Sequence, residues 1–423
     1  MDKTTYDHYL QILHEELIPA LGCTEPIAIA YASAKAREVL GAFPISIKAR
    51  CSGNIIKNVK GVIVPTTGDL KGVEASAILG AVGGNPNLKL ETLSDIKSQD
   101  VEKTRELLKK GLCTVDLIEG ESNLQVIIEM KAENGDTSLV EILYSHTNIS
   151  RIEKNGKVLF CKDRAKTHGS KIDRSILNLN DIFEFVNTVN LDDVKEILDR
   201  QVNYNMAIAT EGLEGKYGAS VGATLLKFYG NDVKTIAKAL PAAGSDARMN
   251  GCTLPVVINS GSGNQGMTVS LPIAAYARYL NSDKETEYRA LVMSNLIAIY
   301  QKNGLGKLSA YCGAVSAAAG AGAGIAYLHN APIEVIDATI TNTLANVSGI
   351  VCDGAKASCA AKIASAVDAA QMAYYMASDQ HVFPSGEGIV MDDTEKTIKS
   401  VGRMGRVGMK STDVEILKIM LGQ

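Results

Sequence analysis

The chain has 423 residues and a formal charge of −4, with 43 basic and 47 acidic residues intermixed. No basic stripe is present, which argues against nucleic acid or an anionic membrane as partner. Hydrophobic residues make up 46% but aromatics only 5%, with no Trp and 38 Gly, so the core must be built from small aliphatic side chains.

Residues 4 to 21 read as a helix from the spacing of Tyr9, Leu10, Ile12, Leu13 and Leu17, ended by Pro19 and the Leu21-Gly22 pair. The stretch is amphipathic and polar, unlike a signal peptide. GCTEP follows, with Thr24 as the expected N-cap of a second helix and Pro26 near its start. Cys23 then lies at a helix mouth, where backbone N–H groups and the dipole favour a thiolate. A reactive thiol and a packed turn cysteine both fit this position.

Strands are expected at ISIKARCS and VKGVIVP, then helices through GVEASAILGAVGG and SDIKSQDVEKTRELLKKG. Residues 112 to 161 carry short β-rich runs separated by Asn134-Gly135 and Asn155-Gly156, both hairpin signals. They predict an antiparallel meander packed on the preceding helices. CKDRAKTHGSKIDRS is polar and aperiodic, and reads as a linker. The expected organisation is an α+β domain over 1–170, with the Cys23 loop reaching the active site, and a mostly α, Gly/Ala-rich catalytic domain over 175–423.

In the second part, helical runs are expected around 219–229, 231–240, 270–280, 285–302, 307–328, 333–347 and 354–377, with nothing that alternates long enough to build a sheet. Leu308 to Leu328 is the most membrane-like stretch, but Ala and Gly contribute little to insertion, so a buried helix is expected. These features together predict a soluble, cytoplasmic protein. The tail, GRMGRVGMKSTDVEILKIMLGQ, reads as a glycine-punctuated loop and a final helix capped by Ser411 or Thr412.

Two stretches carry chemistry. Ser260, Gly261, Ser262, Gly263, Asn264, Gln265 and Gly266 form a segment without bulky side chains between a β-branched run and a helical one. Its backbone N–H groups and short hydroxyls suit an anion such as a carboxylate or phosphate. A tight structural turn would have the same composition. The segment matches neither the Walker nor the dinucleotide pattern.

The second is a trio of cysteines among small residues: Cys312 in KLSAYCGAVSAAAGAGAG, and Cys352 and Cys359 in SGIVCDGAKASCAAKI. Spacing leaves three readings open: core cysteines, a zinc site completed by His329 or His381, or an iron–sulfur site with one iron free of protein thiolate. Eight cysteines without a secretion signal do not suggest disulfides. Cys51, Cys113, Cys161 and Cys252 are assigned to packing. His8, His14, His146 and His168 lie in exposed-looking segments and are assigned no chemistry.

LGCTEPIAIA, SGSGNQG, AYCGAVSAAAGAGAG, GIVCDGAKASCAAKI and RMGRVGMKSTDVEIL, five motifs spread over essentially the whole chain, resemble the iron–sulfur L-cysteine desulfidase family. That family is related in its helical part to the iron–sulfur L-serine dehydratases. The resemblance implies a [4Fe–4S] cluster on Cys312, Cys352 and Cys359, with Cys23 as proton acceptor. It also implies conversion of L-cysteine to pyruvate, ammonia and hydrogen sulfide without pyridoxal phosphate, with oxygen sensitivity. The 260–265 segment would bind the substrate carboxylate.

This chain lacks the C-terminal cysteine of some serine dehydratases, so regulation by a tail thiol is not expected. L-serine dehydration is the nearest alternative. A pyridoxal phosphate lyase using Lys356 and a non-catalytic amino-acid-binding protein are more distant ones. A homodimer is the expected assembly.

Overall fold

A computed structural model describes residues 1–119, 123–163, 173–306 and 308–423. Most of the predicted linker, together with His168, lies outside the described residues. The first helix, α1 (Lys3–Glu16), is shorter than its apolar spacing suggests. Residues 19–21 leave it as β1 (Pro19–Leu21), which pairs antiparallel with β8 (Pro255–Val257), Ala20 opposite Val256. This corrects the expectation of a sheet-free second part; three residues are too few to show alternation. Tyr9, Ile12 and Leu13 of α1 join Phe185 and Leu296 in one core.

α2 (Thr24–Leu40) is buried over most of its length and ends at Gly41, whose φ of 81° suits a left-handed cap. Next come β2 (Ser46–Ser52), α3 (Gly53–Lys60), α4 (Val73–Gly83) and α5 (Ser98–Lys109). The strand expected at VKGVIVP is therefore corrected. Its first residues close α3, where Ile55 and Val59 share the buried face, and the rest is irregular with one bridge from Ile63 to Lys71.

The sheet adds β3 (Cys113–Ile118), β4 (Gln125–Lys131), β5 (Thr137–Leu143), β6 (Ile149–Lys154) and β7 (Lys157–Cys161), in the order β3-β2-β4-β5-β6-β7. From β4 to β7 it is the predicted antiparallel meander, and Asn155 and Gly156 both take positive φ in the tight turn. β3 departs from the meander: it runs parallel to β2, which sits between β3 and β4. The helices between β2 and β3 supply the long crossover that parallel pairing needs. One face alternates inward through Ile47, Ala49, Cys51, Val126, Ile128, Val140 and Ile142, and Ser138 donates to the Ala36 carbonyl of α2 at 2.8 Å.

Among the described residues, the further α-helices are α6 (Leu179–Thr188), α7 (Lys195–Leu213), α8 (Val221–Tyr229), α9 (Val233–Met249), α10 (Gly263–Leu280), α11 (Lys284–Leu305), α12 (Gly313–Leu328), α13 (Ile333–Val347), α14 (Cys359–Ser378), α15 (Thr394–Arg403) and α16 (Lys410–Leu421). Their glycines mark close crossings: a Cβ on Gly320 of α12 would lie 2.4 Å from the Ser294 carbonyl oxygen of α11. The tail loop expected from its glycines is instead a π-helical turn over Met404–Gly408, and Met409 precedes α16 without a side-chain cap. No helix among the described residues is long and apolar enough to cross a membrane.

Candidate active site

The site begins at the amino end of α2. Cys23, not Thr24, is the N-cap residue, and its Sγ lies 3.0 Å from Oε2 of Glu25. The Thr24 hydroxyl donates to the Gly261 carbonyl at 3.0 Å, with Glu25 Oε2 also 3.2 Å away, tying α2 to the 260–265 segment. Asn58 of α3 donates to Glu25 Oε1 at 3.1 Å, and Nε2 of His146, in the turn between β5 and β6, lies 3.5 Å from the same oxygen.

Burial alone would raise the Glu25 carboxyl. Contacts with His146 and the Cys23 thiol and the charge of Arg248 outweigh it, holding the group far below the usual carboxylate range. Cys23 goes the other way. Burial, then the Glu25 charge, push its thiol well above the ordinary value, and Arg248 opposes them only in part. The predicted helix mouth is there, with the Cys23 thiol set against a carboxylate whose charge disfavours the thiolate.

The glycine-rich segment resolves into a turn and the first turn of α10. Ser260 takes φ of 51° and donates to Asn259 Oδ1 at 2.8 Å, and Ser262 is the N-cap of α10. Asn259 is held in turn by Asn295 of α11 at 2.9 Å. Arg248 of α9 crosses behind this turn, donating from Nε to the Gly22 carbonyl at 2.9 Å and from a terminal nitrogen to Asn264 Oδ1 at 3.1 Å. Gly263 is required there, because a Cβ would lie 2.5 Å from Arg248 Nε. The Gln265 amide lies against Gly313, and its buried Oε1 has no hydrogen-bond partner.

An antiparallel bridge between Tyr311 and Val351 brings two of the three cysteines side by side. The Cys312 N–H donates to Ile350 at 3.1 Å and the Cys352 N–H to Ala310 at 2.6 Å. Cys312 then caps α12 and Cys359 opens α14. Gly354 (φ 99°) turns the chain between Cys352 and Cys359 against Lys57, whose Nζ donates to the Cys352 carbonyl at 3.1 Å and pairs with Asp413 of α16 at 2.6 Å. Burial first, then the neighbouring Cys352 and Cys359 thiols, push Cys312 up to about 12. Cys359 is likewise raised, chiefly by burial.

The three cysteines, the start of α2 and the 260–265 turn meet at one place. One cavity of about 100 Å³ is lined by Cys23, Glu25, Asn58, Arg248, Ser260, Gly261, Ser262, Asn264, Gln265, Lys302, Cys312, Cys352 and Cys359. Of the 260–266 segment, Gly263 and Gly266 are missing from this lining; Gly263 makes room for Arg248, and Gly266 lies against the Val257 carbonyl. A larger hollow of about 590 Å³ lies at the sheet, beside Lys48, Glu129 and Glu153, and holds none of these groups.

Sequence reasoning missed Glu25, Asn58, His146, Arg248 and Lys302. His146 is only 4% exposed, contrary to expectation. Lys302 is buried, which lowers its pKa against the opposing pull of Cys352 and Cys312. A lone cation in the small-residue stretch AAGSDARMNGC was the one available signal for Arg248.

Other candidates fall away from the cavity. Lys356 pairs with Asp353 at 2.5 Å, and His329 packs against Tyr276 and Tyr374. His381 is exposed. Among the described residues no three His, Cys, Asp or Glu side chains converge tightly enough for a single metal ion, so the zinc set predicted as an alternative does not assemble. Cys51, Cys113 and Cys252 are buried as expected, while Cys161 is exposed on β7.

Residues 88–418 match the family model described as serine dehydratase alpha chain. The chain belongs to that family. It is 56% identical over 416 residues to a UPF0597 protein of Lachnoclostridium phytofermentans, covering 98% of this chain and 100% of the relative. UPF0597 proteins of Desulfitobacterium hafniense (51% identical; 99% of this chain and 97% of the relative) and Treponema denticola (48%; 100% and 99%) are similar along their whole length.

Proposed function

We propose that the protein is an iron–sulfur lyase that eliminates sulfide from L-cysteine, giving pyruvate, ammonia and hydrogen sulfide. The observation that carries this reading is the convergence of three distant cysteines with Cys23 and the 260–265 turn on one small, buried cavity. The donor chemistry suits a [4Fe–4S] cluster: three thiols line one cavity and influence one another electrostatically, each able to serve a different iron. Cys312, Cys352 and Cys359 would hold it. When bound, such a cluster with one iron free of protein thiolate supplies Lewis acidity toward the leaving sulfur.

The chain's own groups divide the remaining work. Arg248 and the N–H groups opening α10 face the substrate carboxylate. The unpartnered Oε1 of Gln265 accepts a hydrogen bond from the substrate ammonium. Cys23, once deprotonated, takes the Cα proton as the Cβ–S bond breaks, leaving aminoacrylate, which hydrolyses to pyruvate and ammonia. Burial of the cavity keeps water from competing for these contacts.

The family's description names serine dehydratase, so L-serine is the second substrate to assay; its hydroxyl would leave in place of the thiol. The test is anaerobic purification with iron and acid-labile sulfide analysis, followed by pyruvate and sulfide assays. The expected result is about four iron and four sulfide per chain, turnover of L-cysteine, and loss of both metal and activity in Cys312→Ser. Iron-free protein after anaerobic reconstitution, inactive on both substrates, would overturn the reading.

A further inference from the structure

Glu25 is a carboxylate buried at the cavity without a Lys or Arg of its own. It is 6% exposed, and among the described residues its one ion-pair contact is His146, whose Nε2 stands 3.5 Å from Oε1. That nitrogen makes no hydrogen bond, and the Thr24 hydroxyl gives its proton to the Gly261 carbonyl. Cys23 on Oε2 and Asn58 on Oε1 are then the donors Glu25 has, and acceptor capacity is left on both oxygens. Arg248 lines the same cavity but is held off by its bonds to the Gly22 carbonyl and Asn264, and it reaches Glu25 only through its field.

Two more acceptors stand bare beside it. Asn58 Oδ1 and Gln265 Oε1 are buried without a hydrogen-bond partner, on cavity residues only 6% and 5% exposed. Buried oxygens without donors are costly, and a buried carboxylate without a cation more so. What these three groups lack together is a positive charge that carries several N–H donors.

We propose that Glu25 binds the α-ammonium of the substrate, beside Asn58 Oδ1 and Gln265 Oε1, and so makes a free amino group a condition for binding. This rests on the reading of the protein as an enzyme acting on a small α-amino acid. An ammonium brings three donors and the missing charge, while the carboxylate of the same molecule answers Arg248. A zwitterion thereby joins two opposite charges that the fold keeps apart. An acid of the same size without the amino group leaves Glu25 buried and unpaired, which is how such a site rejects it. His146 braces the arrangement: it sits by Glu25 and against Gly261, where an added Cβ would lie 3.4 Å from the ring.

The test compares two ligands on anaerobically prepared holoenzyme: KM for L-cysteine, and KI for 3-mercaptopropionate, which is L-cysteine without its amino group. Glu25→Gln should raise KM about 30-fold and leave KI within about twofold of wild type, at unchanged iron content. Glu25→Asp keeps the charge but draws it back by one methylene, so its preference for the amino acid should fall between the two. That variant carries the test if Glu25→Gln does not fold or load iron. A merely structural Glu25 would weaken both ligands alike. Equal losses for the two ligands, or an undiminished preference in either variant, would overturn the proposal. If wild type turned over neither substrate, the proposed reaction would fail by itself. Calorimetry with L-alanine and propionate on wild type and Glu25→Gln would still decide the ammonium site, and equal affinity of wild type for both would sink it.

Discussion

The two halves of this molecule are held together by different means. In the sheet, strands pair through backbone hydrogen bonds and the layer meets its helices mainly through side chains on one face, while the other carries ion pairs such as Lys48–Asp116 and Arg50–Glu129. In the helical half the backbones themselves touch. Added Cβ atoms at Gly212, Gly266, Gly320 and Gly324 would each fall 2.8 Å or less from a carbonyl oxygen of a neighbouring element. Side-chain interfaces relax when altered, whereas backbone contacts have little room to move. The cysteines sit in the half that cannot adjust, and the sheet lends it His146. A lyase site benefits from that division, because its reacting groups must hold position to a fraction of an ångström.

The largest effect is expected where this rigidity is attacked directly. Gly320→Ala places a methyl 2.4 Å from the Ser294 oxygen and 3.2 Å from Ala298, so α11 and α12 must separate. Overpacking of this kind costs about 3 kcal/mol or more. Thermal unfolding should show a large fall in Tm, and Cys312 at the start of α12 should lose its register with Cys352.

How much of this was legible follows from the same contrast. The Gly/Ala helices, the cysteines and the 260–266 turn announce themselves because composition there is dictated locally: only small residues fit a close crossing, and only a few types turn so tightly. His146 and Glu25 were not legible. Nothing in SHTN distinguishes an exposed turn from one folded under another part of the chain, and a carboxylate is ordinary in the first turn of a helix. β3 was read into the meander because parallel pairing with β2 depends on the crossover helices and leaves no mark on the strand itself. The three-residue β1 and β8 are too short to alternate, and the second of them was invisible for that reason.

The junction between the halves comes next. Lys57 on α3 is 1% exposed and pairs with Asp413 on α16 while donating to the Cys352 carbonyl. Asp413→Ala leaves a buried ammonium without its carboxylate. Breaking a buried pair costs about 3–5 kcal/mol, and the partial exposure of Asp413 brings the expectation to about 2–3 kcal/mol. The C-terminal helix should become protease-sensitive, and iron should be released faster under air than in wild type.

A smaller effect is set by pH. Burial pushes Asp246, which accepts from the Gly222 N–H at 3.1 Å, and Asp337 up to about 6. A carboxyl whose folded pKa lies above its unfolded value binds its proton more tightly when folded. Its contribution is therefore complete below about 4 and disappears as pH rises through 6. Both residues lie in the helical half, so wild type should lose up to about 2 kcal/mol per group between pH 4 and pH 7.5. Asp246→Asn keeps an acceptor for Gly222 without the titration. Its Tm should drop less over that interval than that of wild type; equal slopes would show that Asp246 does not titrate there.

The smallest effect lies on the open face of the sheet. Lys48 and Asp116 pair at 2.8 Å, but both side chains are about half exposed, 48% and 50%. Water screens the attraction, and ordering two mobile side chains offsets much of what remains. Lys48→Ala should therefore shift stability by no more than about 0.5 kcal/mol, with cluster content and turnover unchanged. The same substitution also removes a side chain from the rim of the larger hollow, so it asks whether that hollow takes part in the chemistry. Unaltered kinetics would confine the reaction to the small cavity, while a lowered kcat/KM would mean that the sheet does more for the site than deliver His146.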